Sequence, residues 1–369
     1  MARILLYYPS NKRSNVIETT LFKLRDRGHE VCFLSISPKG DIHAALDSGG
    51  IPAFGSNGEG YLSRIKKLIG FCKKHRIQYV FSHLHQTNLP SVIAQLFMRS
   101  KVIVFRHHFH YVQDSGMENE LNRMEGFFDR IISKLAKKIV VPSESVADAM
   151  IRYESVSPRK ISVIPYIYDF SQYAKPEDDQ VAYIRSQYPC KLLLIMVSRM
   201  IKLKRHMEVL PVVKELVDAG YDLQLLLLDE GVELPALQTW VHENRMQDRI
   251  HFIGYQRGFI NYMAASDMLL QPSLTDASNN VAKEMALLGK LVAVSDHVGD
   301  YNDYVVDGEN GFLLPIRDPH DALVRAIKKA YDHPESCASY GLKLRKAVLE
   351  QFGVENSDTI MAEYEHLLA

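Results

Sequence analysis

The chain has 369 residues, and its 44 lysines and arginines are balanced by 44 aspartates and glutamates, so the formal net charge is zero. A protein that coats nucleic acid needs surplus cations to displace phosphate counterions, so this balance argues against one. At 47% hydrophobic and 24% charged the composition is that of an ordinary globular protein, and at roughly 150 residues per domain the length suggests two domains.

Short leucine-rich and β-branched runs alternate with amphipathic stretches, the pattern of βαβ units around parallel sheets. In the first half the strand-like runs are Ile4 to Tyr8, Val31 to Ile36, Tyr79 to Leu84, Val102 to Phe105, Ile139 to Val141 and Ile161 to Ile164. A helix is expected over Val16 to Arg27, closed by Gly28. Tyr61 to Arg76 combines an apolar stripe (Leu62, Ile65, Leu68, Ile69, Cys72) with six lysines and arginines and no acid. That is either a helix with a solvated charged face or one suited to an anionic lipid surface.

Histidines gather at Ser82-His83-Leu84-His85 and at Phe105-Arg106-His107-His108-Phe109-His110. Strand alternation would put His83 and His85 on one side, and His108 and His110 on one side. A metal site is one reading, although no carboxylate stands at H-E-x-x-H spacing. Strand-end histidines without a role are the other.

Phe170 to Pro189, with Lys175-Pro176-Glu177-Asp178-Asp179, reads as a polar linker. The rhythm restarts with Leu192 to Val197, Leu223 to Leu228, Ile250 to Ile253, Met268 to Leu270, Leu291 to Val294 and Phe312 to Leu314. Two doubly wound domains follow, with ligands expected beyond the carboxyl ends of the strands and in a cleft between the domains.

Met268 to Ala286 is the most informative stretch: a strand ending at Pro272, a polar loop, and a helix beginning around Asn279 with Asp276 and Ser278 as expected caps. Amide groups at such a helix start can hold a phosphate or a sugar hydroxyl. Asp276 lies in the loop, and Glu284, eight residues on, lies in the helix. Arg199 and Lys204 follow the first strand of the same domain, where a planar fork and a point charge suit a diphosphate. The plainer reading is a capping aspartate, a surface glutamate and a solvated basic loop.

Several patterns recur in one order: Arg199-x4-Lys204, Ile250-His251-Phe252-Ile253-Gly254-Tyr255, Asp276-x7-Glu284, Gly289 to Val294, and Val298-Gly299-Asp300 followed by Asp307 to Phe312. With them the sequence resembles family 4 of the retaining glycosyltransferases along nearly its whole length. The resemblance implies an α/β architecture, GT-B, of two facing Rossmann-like domains with parallel sheets and an interdomain cleft. Residues 1–170 would bind acceptor, 171–189 link, 190–352 bind the nucleotide-sugar donor, and 353–369 form a C-terminal helix packing back on the first domain.

By the same resemblance Glu284 would hold ribose hydroxyls, Arg199 and Lys204 the phosphates, and Asp276 the donor sugar or its surroundings. Ser278, Asn279 and Asn280 would present amides, with Gly231, Gly254 and Tyr255 as further donor-site positions. His107 or His108 would face the donor sugar. Departures from the pattern are Asp276 for Glu, Asp229 where glycine is common, Asp300 for glycine and Asp303 for Glu. The usual glycine pair after the first strand is also missing, where Asn11, Lys12 and Ser14 could supply donors instead.

The implied activity is transfer of a sugar, with retention, from a nucleotide diphosphate donor, UDP favoured, to a hydroxyl of a glycan or lipid-linked acceptor, in polysaccharide or glycoconjugate synthesis. No cofactor and no divalent metal are expected. Alternatives are a phosphorylase or epimerase of the same fold, a non-catalytic sugar-nucleotide-binding protein, and a metal-dependent hydrolase built on the histidines.

Cys32, Cys72, Cys190 and Cys337 are too scattered for a zinc knuckle or a small disulfide framework and suggest a reducing compartment. With no apolar run of about 18 residues and no signal-like N-terminus, a cytoplasmic protein is expected, in peripheral contact with the membrane's inner face through Arg64 to Arg76. The zero charge is itself a sum of opposites. Residues 1 to 170 hold 24 basic and 15 acidic residues, a net of +9, and residues 171 to 369 hold 20 and 29, a net of −9.

Overall fold

The computed structural model describes residues 1–58, 60–107 and 123–368. The chain divides into two compact units, Met1–Gln172 with Phe352–Ala369, and Tyr173–Gln351.

The first unit is built on seven parallel strands: β1 (Arg3–Tyr8), β2 (Glu30–Ser35), β3 (Ala53–Gly55), β4 (Tyr79–His83), β5 (Lys101–Phe105), β6 (Lys138–Val141) and β7 (Ile161–Val163), in the order 3-2-1-4-5-6-7. Both faces of the sheet are covered, which is why its strands read as continuous apolar runs. In β1, Ile4 and Leu6 join one buried cluster with Leu21 and Leu24 of the helix Asn15–Asp26, while Leu5 and Tyr7 join the opposite one with Leu68 and Cys72. The helix Asp358–Leu368 closes the first of these faces with Ile360, Met361 and Tyr364. Tyr168 ties the returning chain down, its N–H donating to Phe352 O at 2.8 Å and its carbonyl accepting from Val354 N at 2.9 Å.

The second unit has six parallel strands: β8 (Leu192–Val197), β9 (Leu223–Leu228), β10 (Ile250–Gly254), β11 (Met268–Gln271), β12 (Leu291–Ser295) and β13 (Phe312–Leu314), in the order 10-9-8-11-12-13. The direction of strand addition reverses between β8 and β11, and the carboxyl side of such a switch point is where open α/β sheets hold ligands.

The stretch expected to be a linker is largely helical. Phe170–Gln172 forms a 3-10 turn in the first unit, and Asp178–Gln187 is an α-helix of the second. Arg185 anchors that helix to Asp267 at 2.9 Å, and Glu177 N donates to Asn261 Oδ1 at 2.8 Å. Its single buried residue is Ile184, so there was almost no apolar stripe by which to recognise it.

Candidate active site

The loops leaving β8 and β11 are joined directly, Leu274 N donating to Leu203 O at 2.9 Å. That register sets Lys204, at the end of a 3-10 turn, against Asp276, with Nζ 2.9 Å from Oδ2. Asn279 Nδ2 donates to the same oxygen at 2.7 Å, and Ala277 N to Oδ1 at 3.0 Å. Burial on its own raises the Asp276 carboxyl, but Lys204, Asn279 and the Ala277 amide outweigh it and hold it below its ordinary value. Asp276 is thus an anion with both oxygens already engaged.

Asn279, rather than Asp276 or Ser278, caps the helix Asn280–Leu287, its Oδ1 accepting from Ala282 N at 2.8 Å. The amide side chain does two jobs here that a carboxylate does not combine: the oxygen caps, and the nitrogen holds Asp276. Asn280 opens the helix on its exposed side. Glu284, one turn further, is largely buried, and its Oε2 has no hydrogen-bond partner among the described residues. Burial pushes this carboxyl up to about 7, against a smaller downward pull from Lys283. Arg199 is exposed and is not drawn into these bonds.

Gly231 belongs to the support of this site. Met200 N donates to Glu230 O and Glu233 N to Met200 O, each at 2.9 Å, and a Cβ on Gly231 would stand 2.2 Å from Met200 O. Asp229, in place of a glycine, adopts a left-handed φ of 86° and turns its own carboxylate to the next amide, Glu230 N, at 2.8 Å. Gly254 accepts from Asp229 N at 3.0 Å, and Tyr255 beyond it is exposed. Gly254 thus closes β10 with a bond to Asp229, Tyr255 follows it, and neither is bonded to the Lys204–Asp276 pair.

Beneath the loop lies a pair that no motif announced. Lys283, fully buried, places Nζ 2.6 Å from Oδ2 of Asp300, which is 1% exposed. Ser278 Oγ donates to that oxygen at 2.5 Å and accepts from Lys283 at 2.9 Å. The available signal was a lysine set between the buried Ala282 and Met285 of one short helix, since a cation in that position requires an acid.

Residues 185–347 match the family described as Glycosyl transferases group 1, and residues 14–172 match Glycosyltransferase Family 4. The N-acetyl-alpha-D-glucosaminyl L-malate synthase of Bacillus anthracis is 24% identical over 97% of this chain and 94% of its own. An N-acetylgalactosaminyltransferase of Campylobacter jejuni, named for an N,N'-diacetylbacillosaminyl-diphospho-undecaprenol acceptor, is 22% identical over 77% of this chain and 72% of its own. Among solved structures, Anabaena HepE in complex with UDP superposes with a TM-score of 0.78 at 17% identity, covering 99% of this chain and all of that one. The chain belongs to family 4 of the glycosyltransferases, with the GT-B fold.

In this glycosyltransferase the histidines of the first unit sort differently from the strand alternation expected of them. β4 ends at His83, Leu84 turns at φ 68°, and His85 begins a helix, so His83 and His85 share no face. His83 stacks on Phe105 at 4.3 Å and places Nδ1 2.8 Å from Nε2 of His107, whose other nitrogen meets the Tyr166 hydroxyl. Burial, reinforced by His107, holds His83 well below the usual imidazole range, so it is neutral. His83, His107 and Tyr166 line one pocket with Thr20, Phe105 and Tyr364. His108 and His110 lie outside the described residues. Among the described residues no three His, Cys, Asp or Glu side chains converge in a way that could hold a metal ion.

Arg106 takes the opposite side of the transferase's β5 end. It donates to Asp129 Oδ2 at 3.1 Å, Glu154 Oε1 at 2.8 Å and Ser133 Oγ at 3.0 Å, and His85 lies 3.3 Å from Asp129 Oδ1. Of the side-chain donors expected after the first strand, Asn11 turns toward protein, while Lys12 is exposed. Asn11 Nδ2 donates to Pro38 O at 3.1 Å, and Glu18 fills the start of the helix Asn15–Asp26, accepting from Ser14 N at 2.9 Å and pairing with Arg13.

Proposed function

We propose that this glycosyltransferase moves a sugar from a nucleotide diphosphate donor, a UDP-sugar, to a hydroxyl of a glycan or lipid-linked acceptor with retention at the anomeric carbon. The observation that carries the reading is the Lys204–Asp276 pair at the carboxyl edge of the second sheet, beside the start of the helix that bears Glu284. Lys204 uses one of its three protons on Asp276, which leaves two for phosphate oxygens. Arg199, exposed at the same edge, adds a second cation. Glu284 takes the ribose hydroxyls, and Ser278, Asn279 and Asn280 offer amides to the diphosphate or sugar. Gly231 and Gly254 shape the neighbouring rim, where Tyr255 is exposed.

Asp276 does not suit a nucleophile's role, because both its oxygens are engaged and it sits beside the cation needed by the leaving group. A front-side displacement fits better. The C1–O bond to the diphosphate breaks, the acceptor oxygen bonds to C1 on the same face, and the acceptor proton passes to the departing phosphate oxygen. Lys204 and the helix N-terminus then meet the developing phosphate charge without a divalent metal. The role that the family resemblance gives to His107 or His108 stays with these residues as an expectation, and His107 is bonded to His83 and Tyr166. The UDP-bound Anabaena neighbour supports the choice of donor, and the Campylobacter relative, named for a diphospho-undecaprenol acceptor, that of acceptor, whereas the Bacillus relative is named for L-malate.

A contact with anionic membrane accords with a lipid-linked acceptor. In the helix Tyr61–Lys74, Leu62 is 78% and Tyr61 43% exposed, while Lys66, Lys67, Lys73 and Lys74 are exposed alongside. No helix of the described residues is long and apolar enough to cross a membrane. Such a chain would act in polysaccharide or glycoconjugate synthesis at the cytoplasmic face.

Thermal shift with UDP, GDP, ADP and their sugars tests the donor site, since a ligand at 100 times its Kd stabilises by about 2.7 kcal/mol. UDP and its sugars should raise Tm. If none of the nucleotides does, the reading is wrong. Turnover that survives chelation separates the transferase from a histidine-based metal hydrolase.

A further inference from the structure

We propose that the buried pair Lys283–Asp300 is a positioning device for the donor loop, holding Ser278 and the Asn279 carbonyl in place and, through Asn279, the Asp276–Lys204 pair. The inference rests on the donor-site reading above.

A lysine with no exposure in a short helix is costly, and an apolar side chain would fill the same space between Ala282 and Met285. What the ammonium does there is bind the loop at several points. It reaches Asp300 Oδ2 at 2.6 Å, Ser278 Oγ at 2.9 Å and the Asn279 carbonyl at 3.4 Å. The Ser278 hydroxyl, donating to Asp300 at 2.5 Å, is thereby directed inward. Holding the Asn279 carbonyl fixes the peptide whose N–H belongs to Asn280, the first residue of the helix. Asn279 in turn grips Asp276 at 2.7 Å, and Asp276 grips Lys204 at 2.9 Å. A continuous series of bonds thus runs from a fully buried cation to the one proposed to meet the leaving phosphate.

Asp300 is brought under the loop by its neighbour. Gly299 has φ 57°, and a Cβ there would come within 3.0 Å of Ala277 O, so the turn 298–300 packs directly against Asp276 and Ala277. The pair and the glycine together clamp the loop from below, while Lys204 and Asn279 hold it at the level of the ligand. Lys283 and Asp300 touch no substrate in this arrangement and act through Ser278 and Asn279.

The test compares wild type, Lys283→Met, Asp300→Asn and the double variant by Tm and by the calorimetric Kd for UDP. Each single variant leaves a buried group without its counter-charge and should lose Tm. The double variant removes both charges with little change of shape and should regain most of that Tm. If the pair positions the loop, the double variant still binds UDP about tenfold more weakly than wild type, because the ammonium no longer holds Ser278 and the Asn279 carbonyl. A double variant with recovered Tm and wild-type Kd overturns the inference and leaves the pair a packing feature. So does a double variant that fails to recover Tm if Ser278→Ala, which keeps the ion pair, leaves the Kd for UDP unchanged. Failure of the underlying reading looks different: wild type then binds UDP no better than Lys204→Ala does.

Discussion

Lys204 Nζ lies 2.9 Å from Asp276 Oδ2, across 72 positions of sequence, and each of the two side chains is 17% exposed. One residue follows the first strand of its sheet, the other follows the strand beside it, and the ion pair joins the two sides of the switch point. An ammonium so placed is oriented before any ligand arrives, which is the condition under which a cation contributes most to a transition state.

Lys204→Ala should therefore reduce turnover of the donor by at least about 100-fold, the scale on which single charge-stabilising donors act. Steady-state kinetics with a UDP-sugar measure it, and the loss should appear in kcat more than in KM. A variant with unchanged kcat would remove Lys204 from the chemistry.

Binding of UDP should strengthen as pH rises through 7. Burial raises the Glu284 carboxyl from its ordinary 4.5 to about 7, and hydroxyls of a ribose would favour its ionised form. Calorimetry between pH 6 and 8 should give a Kd falling by up to about tenfold, with proton release on binding. In Glu284→Gln the pH dependence should vanish. The free protein should show the linked effect on stability: a carboxyl raised by folding contributes most below pH 4.5, and that contribution is lost as pH climbs through about 7.

Glu154→Ala should destabilise the first unit by about 1–3 kcal/mol. The Arg106 and Glu154 side chains are 4% and 1% exposed, so the variant strands a buried guanidinium with Asp129 as its remaining carboxylate partner. Urea unfolding followed by a probe in that unit measures the loss. A change below 1 kcal/mol would mean that water reaches Arg106.

Vesicles of phosphatidylglycerol should sediment the protein, and vesicles of phosphatidylcholine should not. Each exposed lysine of the helix Tyr61–Lys74 is worth about 1 kcal/mol at an anionic surface, and added salt should release the protein. Leu62→Glu should abolish the binding. Equal sedimentation on both lipids would refute a charge-driven contact.

The main strands were legible because parallel strands covered on both faces must be apolar throughout: Leu192–Val197, Leu223–Leu228 and Phe312–Leu314 begin and end where the runs do. β3, three residues ending in glycine, carried no such run, and Asp178–Gln187 carried too few apolar residues to declare a helix. At the candidate site, Asp276, Lys204 and Glu284 are singled out by the family resemblance, and the structure joins the first two. The exchange of capping roles to Asn279 depended on which side chain could serve two partners at once. Lys283 and Asp300 stand 17 residues apart in sequence, and only the fold makes them neighbours. His83 and His85 were assigned to one face because the turn at Leu84 leaves no trace in a non-glycine sequence.

The first unit borrows its last helix from beyond the second. Ile360, Met361 and Tyr364 are part of the core that also contains Ile4 and Leu6. During synthesis the second unit, ending at Gln351, has all of its chain available before the first does. The earliest strands must therefore wait with part of one face of their sheet uncovered until residues 358–368 are made. In this protein the half translated first is the half finished last.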